Sequence, residues 1–92
     1  MITAFVLINC AQGASADVAQ TLVDLDSVSE IYSVTGDHDL IAIVRVADFD
    51  RVADVIATTI ATTANVVATR THIAFRAYSR LDLEAMFDIG NP

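Results

Sequence analysis

The spacing of apolar positions changes several times along the chain, and each change marks an element. Over residues 2–9, Ile2, Ala4, Val6 and Ile8 share one parity, and Thr3, Phe5, Leu7 and Asn9 the other. Both sets are largely apolar, so the pattern predicts a strand covered on both faces. A loop follows through Ala11-Gln12-Gly13-Ala14, after which Val18, Leu22 and Leu25 recur at i, i+4 and i+7. That spacing predicts an amphipathic helix over about 15–25, with Ser15 as its N-cap and Asp17 favouring the dipole of the first turn.

Val28 to Val34 alternates as a second strand. Gly36-Asp37-His38-Asp39 then interrupts the apolar pattern, and Leu40 restarts it at once, with Ile41 and Ile43 on one face and Leu40, Ala42, Val44 and Val46 on the other. A hairpin is predicted, its turn eased by the positive φ that glycine tolerates. Asp48 is placed to cap a second helix in which Phe49, Val52, Val55, Ile56 and Ile60 keep helical spacing. Within it, Ile56 to Thr63 is rich in β-branched residues and reads as strand by propensity alone. Periodicity and the capped start outweigh that weaker preference.

Asn65 ends the helix, and Val66 to Tyr78 is predicted to form a long fourth strand. Leu83, Met86 and Phe87 mark a short third helix, with Asp82 and Glu84 in its first turn and Gly90 after it. The order βαββαβ with a helical tail is the ferredoxin-like α+β arrangement, an antiparallel four-stranded sheet with both helices on one face. The apolar residues of the opposite face then call for a second subunit's sheet, in the manner of a dimeric α+β barrel. No linker, low-complexity run or charge block divides residues 1–92, which read as a single domain.

Composition sharpens this expectation. Of 92 residues, 54% are hydrophobic, more than so small a domain can bury alone, and a homo-oligomer is expected. Twelve acidic residues against five arginines and no lysine leave a net charge of −7. With no clustered basic surface, direct binding to nucleic acid is excluded, and an anionic membrane surface is repelled. Neither a signal peptide nor an apolar run of the ~20 residues needed to span a membrane is present. The lone Cys10 forms no intramolecular disulfide, which fits a cytoplasmic location, and it reads as a small buried hydrophobe.

Four features carry candidate chemistry. Backbone amides exposed by the Gly36 turn suit a carboxylate, and Asp37 or Asp39 suits an ammonium group, so the turn fits a small zwitterion; on spacing alone a plain hairpin is the preferred reading. His38, His72, Asp39 and Cys10 lack paired spacing, and neither a metal nor another cofactor is expected. Arg70, His72, Arg76 and Tyr78 share parity on the fourth strand, either as an ordinary polar edge or as a patch in a cavity between subunits of a small enzyme; no nucleophile–base spacing accompanies them. Thr69 and Thr71 face the other way, as strand formers or as hydroxyl donors.

The run Val34-Thr35-Gly36-Asp37-His38-Asp39-Leu40-Ile41-Ala42-Ile43-Val44 resembles the Val-Thr-Gly-x-x-Asp-hydrophobic segment of the ligand-binding (RAM) domain of Lrp/AsnC transcription regulators. Val28 to Tyr32 is similar to that family's second strand and Thr69 to Phe75 to its last, so the resemblance covers essentially the whole chain. It implies a non-enzymatic domain that senses an amino acid or similar small effector, forms a dimer with facing sheets and assembles into rings of dimers. The ligand-binding positions it implies are Gly36, His38 and Asp39, with Thr69 and Thr71 from the same or a neighbouring subunit. His38 stands where the family often has an aromatic residue. Because the sequence starts at the first strand of such a domain, it resembles the stand-alone version, without a helix-turn-helix of its own, whose partners include full-length regulators. A ligand-free assembly domain and the small dimeric enzyme are the alternative readings.

Overall fold

The computed structural model describes residues 1–80. Strand β1 (Ile2–Cys10), helix α1 (Ser15–Val23), strands β2 (Val28–Ser33) and β3 (Leu40–Val46), helix α2 (Phe49–Ala53) and strand β4 (Val66–Ile73) follow in chain order. The four strands make one sheet in the order β2-β3-β1-β4, and every neighbouring pair is antiparallel. This is the expected α+β ferredoxin-like arrangement. The expected third helix around Leu83, Met86 and Phe87 lies outside the described residues.

Register divides the sheet into two unlike faces. Val6 pairs with Ala42 on one side and Thr71 on the other, and Ile8 pairs with Leu40 and Thr69. Ala4, Val6 and Ile8 of β1 and Leu40, Ala42, Val44 and Val46 of β3 are buried, in one cluster with Val18 and Leu22 of α1 and Val52 of α2. Each large aliphatic side chain so enclosed contributes about 1.5–3 kcal/mol. The opposite parity builds the second face, with Phe5 and Leu7 across from Ile43 and Ile41 on β3 and from His72 and Arg70 on β4. No element of the described chain packs over it, and Phe5 and Tyr32 are exposed.

Three local expectations are corrected. Ser15 is the first residue of α1 rather than its cap; Ala14 takes the cap position and no side chain caps the helix. Asp48 does cap α2, its carboxylate accepting from the Arg51 amide at 3.0 Å. However, the helix then widens into a π-helical segment over Asp54–Ile60, in which the amide of Ala61 donates to the Ile56 carbonyl five residues back. Val55 and Ile60, also five apart, are both buried, so looser winding keeps them on one face, and it relieves crowding among β-branched side chains. Phe49 is exposed rather than part of the core.

Strand β4 ends at Ile73, not Tyr78. Its neighbour limits it: Ile73 pairs with Ala4, the Ala74 amide still reaches the Thr3 carbonyl at 2.9 Å, and β1, which begins at Ile2, has no residue left to pair with Arg76 to Tyr78. Phe75 and Tyr78 are consequently exposed. The left-handed backbone of Asn65, at φ +70°, turns the chain from the helical layer into β4, a conformation asparagine adopts more readily than most residues.

Candidate functional site

The loop 34–39 between β2 and β3 is folded down onto the end of β1. The Val34 amide donates to the Asp39 carbonyl at 3.1 Å and closes the loop, while the Asp39 amide donates to the Ile8 carbonyl at 3.0 Å. Asp39 Oδ2 accepts from the Cys10 amide at 2.8 Å. Cys10 lies beyond the last β1–β3 pair, Ile8 with Leu40, and just past the register shift between β1 and β4. The carboxylate therefore satisfies a donor at a point where the ladder is irregular. Charge-assisted bonds of this kind are stronger than neutral ones.

Asn9 supplies the second attachment. Its Nδ2 donates to the Asp37 carbonyl at 3.1 Å, and its Oδ1 lies 2.7 Å from His38 Nδ1. Gly36 has φ +105°, and no atom lies within 4 Å of where a Cβ would stand. Glycine is needed there for its backbone angle, not for lack of room. Beside the loop, on the face without helices, is an open depression of about 650 Å³ lined by Leu7, Ser33, Val34, Thr35, Asp37, His38 and Ile41. It combines an aliphatic floor with hydroxyl, carboxylate and imidazole groups at its rim.

Of the residues expected at the site, Gly36, His38 and Asp39 all lie on this loop, but only His38 lines the depression. Thr69 and Thr71 do not join them within one chain. They are half-buried on β4 and share the helix-side parity of Ile8 and Val6, whereas the depression opens on the parity of Leu7 and Ile41. Asn9 was not singled out from the sequence, although it fixes both His38 and the Asp37 carbonyl. An amide side chain closing an apolar strand, on the open-face parity, was its available signal.

The supposed row of Arg70, His72, Arg76 and Tyr78 is not a row. Arg70 and His72 are exposed on β4, while Arg76 and Tyr78 lie past its end. The shared parity held only if the strand continued. His72 sits opposite Phe5, and no three His, Cys, Asp or Glu side chains converge as a metal site among the described residues.

Two groups near these features have shifted proton affinities. Burial pushes the Cys10 thiol up, a hydrogen bond with Ser15 acts against this, and the Asp39 charge adds to it; the thiol is therefore kept protonated, as for a packed side chain rather than a nucleophile. On the open face the Tyr32 hydroxyl donates to Glu30 Oε2, and Arg45 lies 3.8 Å from Glu30. The bond to Glu30 and then its charge raise the Tyr32 phenol, with Arg45 opposing.

Comparison with known proteins identifies the family. The family model described as the Lrp/AsnC ligand binding domain matches residues 3–82. The chain belongs to the Lrp/AsnC ligand-binding domain family. Among curated relatives, the HTH-type transcriptional regulator LrpA1 of Halobacterium salinarum is 47% identical over 53 residues, covering 58% of this chain and 37% of the relative. The chain thus matches little more than a third of that regulator. Among solved structures, TTHA0845 from Thermus thermophilus is 42% identical, with a TM-score of 0.81 over 87% of this chain and 100% of the other.

A complex of the transcriptional regulator NMB0573 with L-Met, from Neisseria meningitidis, shares the fold with a TM-score of 0.79 over 86% of this chain and 53% of that one, at 15% identity. Through its family and its curated relatives, which are HTH-type transcriptional regulators, the domain is related to transcription regulators. Among its described residues no helix is long and apolar enough to cross a membrane.

Proposed function

We propose that this Lrp/AsnC domain senses a small effector, an amino acid, at the loop 34–39, and passes the signal on through its association with other subunits. The observation that carries the proposal is the clamped loop itself. Asp39 and Asn9 hold the Gly36 turn rigidly beside a depression of about 650 Å³, within the range usual for small-molecule sites. Rigid placement reduces the ordering cost of binding. The loop offers backbone amides for a carboxylate and the Asp37 carboxylate for an ammonium group. That a regulator of the same fold was crystallised with L-Met supports the effector class.

Of the three loop residues expected to bind, His38 lines the depression; Gly36 shapes the loop and Asp39 holds it through the Cys10 amide. Thr69 and Thr71 face away from the depression of their own subunit, so any part they play is in the pocket of a neighbouring one. The sheet face without helices, with Phe5, Leu7 and Ile41, is the surface for a second copy, giving a dimer of facing sheets that a larger ring would be built from. Through the same assembly the domain associates with other regulators of its family; its own acidic balance of −7 is unsuited to direct contact with DNA. A cytoplasmic location accords with that role.

Thermal-shift measurements on the purified oligomer with each of the twenty amino acids test the proposal. At least one is expected to raise the melting temperature of the native protein and to do so less for a Gly36→Val variant. A flat response to all twenty at millimolar concentration removes the sensing role.

A further inference from the structure

We infer that His38 makes the site selective for effectors whose side group ends in an N–H or O–H donor, a carboxamide or hydroxyl, over purely aliphatic ones. The inference rests on the proposed sensing role and names the chemistry that the pocket would choose.

It starts from the Asp37 carbonyl, which can only accept a hydrogen bond. The Asn9 side-chain atom 3.1 Å from it must therefore be the amide nitrogen, and this fixes the orientation of the Asn9 amide. The other atom, Oδ1, is then an acceptor, and it faces His38 Nδ1 at 2.7 Å. Two acceptors do not bond, so Nδ1 must carry the proton. In the neutral ring the remaining nitrogen, Nε2, is left with its lone pair and no partner among the described residues.

The half-buried ring of His38 lines the depression. Nε2 is not sealed from solvent, so an acceptor whose tautomer is fixed by a chain of two hydrogen bonds is open to a molecule seated there. Ser33 and Thr35 line the same depression, and their hydroxyls donate as readily as they accept. A carboxamide meets both demands, its N–H toward Nε2 and its carbonyl toward a hydroxyl; a serine-type hydroxyl meets the first. An aliphatic side chain satisfies neither and leaves a desolvated imidazole lone pair unpaired, which is how a polar site rejects an isosteric apolar ligand. Leu7 and Ile41 on the floor accommodate the methylenes of either class, so the discrimination resides at the rim.

Isothermal titration of the intact oligomer with glutamine, asparagine, serine, leucine and methionine, in a buffer basic enough to keep imidazole neutral, reads the preference directly. At least one of the first three is expected to bind about tenfold tighter than leucine or methionine, the worth of one net hydrogen bond. His38→Phe is expected to erase or invert that ranking, and Asn9→Ala to weaken it by freeing the tautomer. Nitrogen-15 chemical shifts of His38 in the unliganded wild-type protein are expected to show the proton on Nδ1.

If leucine or methionine binds and the polar set does not, or if His38→Phe keeps the ranking, the selectivity is wrong while the sensing role stands. A proton found on Nε2 also overturns it. If none of the twenty amino acids binds, both readings fall together.

Discussion

Asp39 takes part in three bonds at one point of the chain: it accepts at its carbonyl from Val34, donates through its amide to Ile8, and accepts at its carboxylate from Cys10. Only the last depends on the side chain. Asp39→Ala removes that acceptor and leaves the Cys10 amide without a partner, and chemical denaturation is expected to show a loss of about 1–3 kcal/mol. Asp39→Asn keeps an oxygen acceptor and is expected to lose less. Gly36→Ala meets no clash but holds an alanine at positive φ, at a cost of about 1–2 kcal/mol.

The two shifted groups give measurable signs. Burial holds the Cys10 thiol protonated in the fold, so this contribution to stability is complete below the ordinary thiol range and is lost as pH rises through the elevated value. Cys10 is the sole cysteine, and its reaction with a thiol reagent is expected to be slower in the native protein than in urea at the same pH. Tyr32 behaves alike, since its hydroxyl donates to Glu30. In a Tyr78→Phe background, which leaves it the sole tyrosine, its absorbance should titrate above the usual phenol range, and Glu30→Gln should lower the midpoint.

At the scale of elements, the strands of the central sheet were legible as apolar runs rich in β-branched residues, bounded by turn and loop residues. Ala4, Val6 and Ile8 and their β3 partners are buried, but which parity the helices cover was not legible, because the other set is largely apolar as well. The end of β4 was not legible. Alternation continues from Ala74 to Tyr78, but a strand needs a neighbour as well as a pattern, and β1 provides none past its first residues. The π-helical winding of Asp54–Ile60 was hidden for a related reason. A run of valine, isoleucine and threonine fits strand and helix equally, and only the five-residue spacing of Val55 and Ile60 hints at the third possibility. That spacing gives Ile60 a structural role: it is fully buried, and Ile60→Ala is expected to cost about 2–5 kcal/mol in denaturant titrations.

For the whole molecule, an uncovered apolar face and a clamped loop lie side by side, because Leu7 and Ile41 belong to both. The loop was visible in the sequence as a glycine among acids, whereas its attachment to Asn9 and Cys10 was not, since residues 28 and 29 positions apart meet only once β1 lies beside β3. For Thr69 and Thr71 the sequence left this or a neighbouring subunit open, and register sends them to the opposite side of the sheet from the depression in their own chain. If the open face joins two subunits, Ile41→Asp is expected to shift the mass measured by light scattering toward the monomer with the helical content of the fold retained. The domain's role turns on whether the loop binds an effector. Calorimetric titration of the native oligomer and of Asp39→Ala with the twenty amino acids decides this: saturable heat for at least one of them, weakened about tenfold or more by the variant, is the expected result, and no heat from any of them, or equal affinity in both proteins, contradicts it.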